Sequence, residues 1–223
     1  MLIPNLIHQI WFGPRRPQEL FARVRRYHPR FRYMLWTENK LPFRLYNQKL
    51  FDRARYPAER SDLLRYELLY RFGGVYLDAD SFVLRSFQPL LTEQPFVSYE
   101  SEVYQPGLMQ NGIMGFPPQH PILWEMIQRI GDLGALRHDI SCWQTTGPGL
   151  LTQVIEETAN AERPHCYPAA VFLPIHHRQL PFCEPRDAVQ KANALRSYTL
   201  HLWGSVLGYD SSLFRQYLQL AQE

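Results

Sequence analysis

The stretch SDLLRYELLYRFGGVYLDAD, residues 61–80, constrains this chain more than any other. It reads as a helix, a glycine stop, a short strand and two aspartates with one residue between them. Pro57 stands before the helix, Ser61 and Asp62 supply a cap and first-turn negative charge, and Gly73-Gly74 ends it. Leu63, Leu64, Tyr66, Leu68, Leu69, Tyr70 and Phe72 leave almost no polar face, which predicts a buried helix. Asp62 and Arg65 inside such a helix then need a reason. They lie three apart, hence on one face; as an isolated exposed pair they would contribute only about a few tenths of a kcal/mol.

Val75-Tyr76-Leu77 is a fully buried strand in miniature, with Asp78 and Asp80 at its carboxyl end. In open α/β sheets ligands bind beyond that end. If the chain stays extended, the two carboxylates point the same way, roughly 6.5–7 Å apart along the strand. So placed they repel each other unless a cation sits with them, and Mg²⁺ or Mn²⁺ prefers such oxygen ligands shared with substrate phosphates. An Asp-x-Asp by itself is also what a solvated turn looks like. The buried helix, paired glycines and strand before it favour the metal.

The rest of the chain fits one α/β unit. At 223 residues, 45% hydrophobic and 14% aromatic, it can bury one substantial core, and no linker, repeat or low-complexity run divides it, so residues 1–223 are expected as a single domain. Charge is uneven: residues 1–85 carry 16 Lys+Arg against 8 Asp+Glu, and the remainder 8 against 13. A basic first half suits a nucleoside diphosphate or an anionic membrane surface; a solvated arginine-rich surface reads the same way. Cys142, Cys166 and Cys183 show no short spacing, which argues against a disulfide framework, and with His165, His176 or His177 they lack the spacing of a zinc site. MLIPNLIHQIWF is too short and too polar to span a membrane, and has neither a basic leader nor a cleavage site. The expectation is a cytoplasmic protein, at most peripheral on the inner face of a membrane.

Taken in order, residues 6–12 make a buried first strand closed by Gly13-Pro14, and 18–27 an arginine-rich helix. A strand over 31–37 and a helix over 46–54 follow. Arg15, Arg16, Arg23, Arg25 and Arg26 can meet phosphate, lipid headgroups or water. His8 reads as a packing residue. Beyond Asp80, SFVLRSFQPL is a strand running into a turn, and strand patterns recur at 95–99 and 110–116. Pro121–Ile130 is an amphipathic helix, and Thr146 or Gly147 caps another over 150–158. Prolines break 159–197, which yields no reading. Residues 198–205 form a strand ending in a loop, and 211–222 a closing helix.

Five segments, IPNLIHQIWFG, ERSDLLRYELLYRFGGVYLDAD, NGIMGF, TTGPGL and HLWGS, together resemble glycosyltransferase family 32. That family includes yeast α-mannosyltransferases and bacterial capsule enzymes, and is similar at greater distance to the large clostridial glucosylating toxins. The resemblance implies a single-domain, Rossmann-like GT-A fold, a mixed central sheet flanked by helices. It also implies a retaining, metal-dependent transferase that moves a hexose from a nucleoside-diphosphate sugar to a glycan, glycolipid or protein hydroxyl in surface polysaccharide synthesis. UDP-hexose is the favoured donor, with GDP-mannose the alternative; nucleic acid is not an expected partner. Carried over residue by residue, Asp80, Asp78 and His201 would hold Mn²⁺ or Mg²⁺, and Asp78, Asp80 and Arg65 would carry the chemistry. Trp11 and Ile10 would meet the nucleotide base, Asp62 the ribose, and Arg65 the donor phosphate or sugar. Asp78 would bridge donor and metal; Asn111, Gly112 and Ser205 complete the donor contacts. The chain departs from the family at Leu207, where tryptophan is usual.

Two other readings stay open on the residues. A nucleotide-sugar hydrolase could use the same cradle, given a base to activate water. A non-catalytic relative, binding polyanions or membranes through its arginines, would show salt-dependent binding and no sugar release.

Overall fold

The computed structural model describes residues 1–38, 41–136 and 141–223. Eight strands are seen among them: β1 Leu6–Ile10, β2 Arg32–Trp36, β3 Gly74–Leu77, β4 Ser81–Val83, β5 Phe96–Ser101, β6 Gln105–Phe116, β7 His165–Tyr167 and β8 Thr199–His201. The helices are α1 Gln18–Tyr27, α2 Gln48–Arg53, α3 Pro57–Phe72, α4 Pro121–Asp132, α5 Cys142–Thr145, α6 Pro148–Glu157, α7 Pro185–Ala194, α8 Gly204–Leu207 and α9 Ser212–Gln222.

Six strands join in the order β2-β1-β3-β6-β5-β7. β2, β1 and β3 run parallel, and β6 is antiparallel to both β3 and β5. The chain leaves β1 outward to β2 and returns to β3 on the other side of β1, so the strand order reverses there. That switch opens a crevice between the carboxyl ends of β1 and β3, where the sequence places Trp11 and Asp78.

The strand period of two divides the core. Val75 and Leu77 point into one cluster with Leu20, Phe172 and Phe214, while Tyr76 points into the other with Leu64, Leu68, Ile122 and Leu151. Helices α1, α7 and α9 therefore cover one face, and α3, α4 and α6 the other. Gly74 makes the β1–β3 approach possible: its φ is 99°, and a Cβ there would stand 2.4 Å from the Leu6 carbonyl oxygen.

The central helix starts earlier than its capping signals predict. α3 begins at Pro57, and Glu59 turns back to accept hydrogen bonds from the Arg55 and Tyr56 amides at 2.9 and 3.2 Å. Glu59 is thus the first-turn acid, and Ser61 and Asp62 lie one turn further in, not at a cap. Glu67 on the same helix is 1% exposed and receives the Tyr46 and Asn47 amides, tying the preceding loop to α3. The helix expected at 46–54 shortens to α2, the strand at 110–116 extends back to Gln105, and the 198–205 strand stops at His201 because α8 follows. The proline-rich stretch supplies β7 at the sheet edge, and α7 with Phe172 in the core.

Candidate active site

Asp78 lies just past β3, and the chain turns there instead of running on extended: Ser81 donates to the Asp78 carbonyl at 3.1 Å. This corrects the expectation of two carboxylates spaced along a strand. The turn feeds β4, which pairs antiparallel with β8 so that Ser81 faces His201. A ribbon of two short strands thereby carries a histidine from near the end of the chain to the aspartates. Asp80 fixes the junction, since its Oδ2 accepts from the Gly204 amide at 2.7 Å and its carbonyl from the Leu202 amide at 3.0 Å.

The result is a compact ligand set. One oxygen each from Asp78 and Asp80 and a ring nitrogen of His201 lie within 4.8 Å of one another. His201 Nε2 stands 3.2 Å from Asp80 Oδ1 and 3.6 Å from Asp78 Oδ2. Burial opposes charge on His201, but Asp80 and Asp78 outweigh it and raise its pKa to about 10. Burial would raise Asp80 in turn, and His201 with the Gly204 amide brings it below its ordinary value. Two carboxylates and an imidazole on one side of an open cleft are hard and borderline donors that suit Mn²⁺ or Mg²⁺. A cation would replace the proton that now compensates the acids.

Behind this cluster a second layer holds Asp78 in place. Tyr76 donates its hydroxyl to Asp78 Oδ1 at 2.7 Å, and Gln9 donates to the Asp78 carbonyl at 3.1 Å. Arg65, 5% exposed, reaches Asp78 Oδ1 and Asp62 Oδ1 at 3.3 Å each, donates to the Asn111 carbonyl at 2.7 Å, and lies over the Tyr76 ring. Burial disfavours its charge, yet Tyr76, Asp78 and Asp62 raise its pKa. Gly112 leaves the room Asp78 needs: a Cβ there would meet Asp78 Oδ2 at 2.5 Å.

The predicted residues therefore divide. Asp78, Asp80, His201, Arg65 and Ser205 converge on a cleft of about 840 Å³ that Ile10, Trp11, Arg15, Arg16 and Arg215 also line. Asp62 is set behind that wall, 5% exposed, held by Asn111 at 2.9 Å and Thr146 at 3.0 Å. Asn111 gives both amide hydrogens inward, to Asp62 and to the Tyr66 hydroxyl at 2.9 Å. Trp11 is 9% exposed, bonds the Gly13 carbonyl at 2.8 Å and meets Tyr209 edge-on at 5.0 Å. His8 is a packing residue: its Nε2 is 2.9 Å from the Gly73 carbonyl, and Trp36 donates to its Nδ1 at 3.0 Å. Leu207 lies in α8 and packs on the core.

Two family profiles match this chain. Residues 14–97 match "Glycosyltransferase sugar-binding region containing DXD motif", and residues 115–216 match "Alpha 1,4-glycosyltransferase conserved region". The chain belongs to the Asp-x-Asp glycosyltransferases. Inositol phosphoceramide mannosyltransferase 3 of Schizosaccharomyces pombe is 30% identical over 163 residues, 67% of this chain and 44% of the relative. The human alpha-1,4-N-acetylglucosaminyltransferase is 26% identical over 203 residues, 79% of this chain and 56% of that one. The chain thus spans about half the length of these relatives. Among solved structures, PaToxG glycosyltransferase superposes with a TM-score of 0.58 at 14% identity, covering 99% of this chain and 87% of that one. The fold is GT-A.

Several lining residues escaped the sequence reading. Tyr209 lines the cleft and packs edge-on against Trp11, and nothing local marked it. Tyr76 could have been found, since i and i+2 to Asp78 share a strand face. Glu100 borders a second cavity beside the cluster and lies in the gap between the two matched segments. Among the described residues, no helix is long and apolar enough to cross a membrane.

Proposed function

We propose that this chain, as a single catalytic domain, transfers a hexose from a nucleoside-diphosphate sugar to a hydroxyl of a glycan, glycolipid or protein. UDP-hexose is the favoured donor and GDP-mannose the alternative. The observation that carries this is the meeting of Asp78, Asp80 and His201 at a cleft that Trp11 and several arginines also line. The names of the mannosyl- and N-acetylglucosaminyl-transferring relatives support a hexose, and the inositol phosphoceramide relative makes a glycolipid acceptor at a membrane surface a leading case.

Asp78, Asp80 and His201 would hold Mn²⁺ or Mg²⁺, which when bound supplies positive charge to the leaving diphosphate and a template for it. The remaining tasks belong to the chain. Trp11 offers a ring to the base, worth about 1–3 kcal/mol. Arg16 and Arg215 add positive field to the cleft for an anionic donor, while Arg15 is paired with Asp210 at 2.7 Å. Arg65 is held rigid by Asp62 and Asn111, so its guanidinium keeps Asp78 aimed at the cluster. Asp80, fastened to the Gly204 amide, keeps the carboxyl-end loop closed on the diphosphate site. Retention of the anomeric configuration is proposed from the family resemblance, with front-face attack by the acceptor.

A thermal-shift screen of UDP- and GDP-sugars, with and without Mn²⁺, tests the proposal, because a ligand that binds only the native state stabilises it by mass action. One donor should raise the melting temperature in a Mn²⁺-dependent way and then yield product with the donor's anomeric configuration by NMR. No shift with any sugar nucleotide, or identical shifts with and without the ion, would refute it.

A further inference from the structure

The second cavity, about 330 Å³, shares Asp78, His201 and Ser205 with the cleft and is otherwise lined by different chemistry. Glu100, at the end of β5, is 8% exposed and borders it. Among the described residues no hydrogen-bond donor reaches its carboxylate; His176 Nε2 stands 3.7 Å from Oε1, too far for a hydrogen bond. Three ring nitrogens close by are buried without partners: His176 Nε2, His177 Nδ1 and His201 Nδ1. Burial raises the Glu100 pKa, partly offset by His201, and lowers that of His176 to about 4 together with His177 and Arg178.

The three ring nitrogens are buried without a partner, which is costly and rare in native structures, while the Glu100 carboxylate opens onto the cavity beside them. The deficit here has a definite chemistry. A carboxylate needs donors, and a neutral imidazole needs a donor or an acceptor according to its tautomer; hydroxyl groups supply both. Two carboxylates line the cavity and, among the described residues, no lysine or arginine does, so a phosphate or carboxylate ligand is disfavoured. Trp143 and Trp203 add apolar walls suited to the C–H faces of a ring.

We propose that Glu100 is a sugar-selecting residue, its carboxylate accepting hydrogen bonds from hydroxyls of a hexose seated in this second cavity. The inference rests on the sugar-transfer reading above. The hexose can be that of the donor or that of the acceptor.

The test compares the full chain with Glu100→Gln and with Glu100→Asp, which keeps the charge but withdraws it by one methylene. The donor is whichever of UDP-glucose, UDP-galactose, UDP-N-acetylglucosamine and GDP-mannose the wild type uses best, with its monodeoxy forms. Methyl α-mannoside and methyl β-galactoside, with their deoxy forms, probe the acceptor side. Wild type should lose on the order of 10-fold or more in kcat/KM when the recognised hydroxyl is removed. Each variant should lose a similar factor on the intact sugar and nothing further on that deoxy form, while Mn²⁺-dependent stabilisation by bare UDP or GDP stays at the wild-type value. Coupling to a donor hydroxyl assigns the hexose to the donor, and coupling to an acceptor hydroxyl to the acceptor; either upholds the proposal. Losses that simply multiply at every hydroxyl, in a wild type that transfers normally, overturn it and leave the transfer reading standing. A wild type that neither binds bare nucleotide with Mn²⁺ nor transfers sugar removes the transfer reading, and this proposal with it.

Discussion

The two cavities that meet at Asp78, His201 and Ser205 differ in the charged side chains that line them. The larger carries Arg15, Arg16, Arg65 and Arg215; among the described residues the smaller has no lysine or arginine and adds Glu100 and His177. Arginines accompany the acids on one side of the shared wall and, among the described residues, not on the other. An arginine-lined cleft that Trp11 also borders favours a nucleoside diphosphate, whereas a carboxylate beside indole walls, with no lysine or arginine among the described lining residues, favours a neutral polyol. A molecule that is anionic at one end and a sugar at the other fits the pair better than either half alone.

Three perturbations should break or sharpen that contrast. The largest is Arg65→Met, because Arg65 braces the shared wall. Removing it leaves Asp62 and Asp78 without their buried cation, which costs about 3–5 kcal/mol in urea unfolding, and it should weaken nucleotide binding and sugar discrimination together. Damage to one side alone would mean that the wall is not shared.

Next is an effect that belongs to the scaffold and to neither cavity. Burial, against its bond to the Gly73 carbonyl, lowers the His8 pKa from 6.5 to about 4. Between those values the unfolded chain binds more protons than the folded one, so stability rises with pH. It is fully present above 6.5 and fades as pH falls towards 4, by on the order of 3 kcal/mol. Urea midpoints across this range should show the slope, a His8→Gln variant should flatten it, and saturating ligand should not alter its position.

The smallest is Trp11→Ala, which should affect the arginine-lined side alone. Loss of a stacking ring costs about 1–3 kcal/mol, a fall of roughly 10- to 100-fold in nucleotide affinity, read by titration calorimetry. Preference among hexoses at saturating donor should not change. A Trp11→Ala protein with altered sugar preference would show that the two cavities are not separate in function.

The parallel half of the fold was legible because its signals are local: a buried run closed by Gly13-Pro14, paired glycines before β3, and acids at a strand's end. The Asp78–Asp80 pair was visible for the same reason, and His201 only through the resemblance, since 120 residues of sequence separate it from Ser81, its partner in the β4–β8 ribbon. Helix α3 was found but its start misplaced, because Glu59 caps it from inside the first turn and Ser61 only imitates a cap. Glu100 and Tyr209 went unnoticed and His177 was weighed only for zinc: each becomes notable only through neighbours distant in sequence. A lone glutamate on a strand or a histidine in a proline-rich loop carries no periodicity to read.

The central claim is that Asp78, Asp80 and His201 together hold a divalent cation on which donor binding depends. Titration calorimetry of the preferred nucleoside diphosphate, with and without Mn²⁺, on wild type and Asp80→Asn, tests it most directly. Wild type should bind the nucleotide at least about 10-fold more tightly with Mn²⁺ than without, and Asp80→Asn, still folded by circular dichroism, should bind equally weakly in both. An Asp80→Asn protein that keeps the wild-type Mn²⁺ dependence would contradict the account.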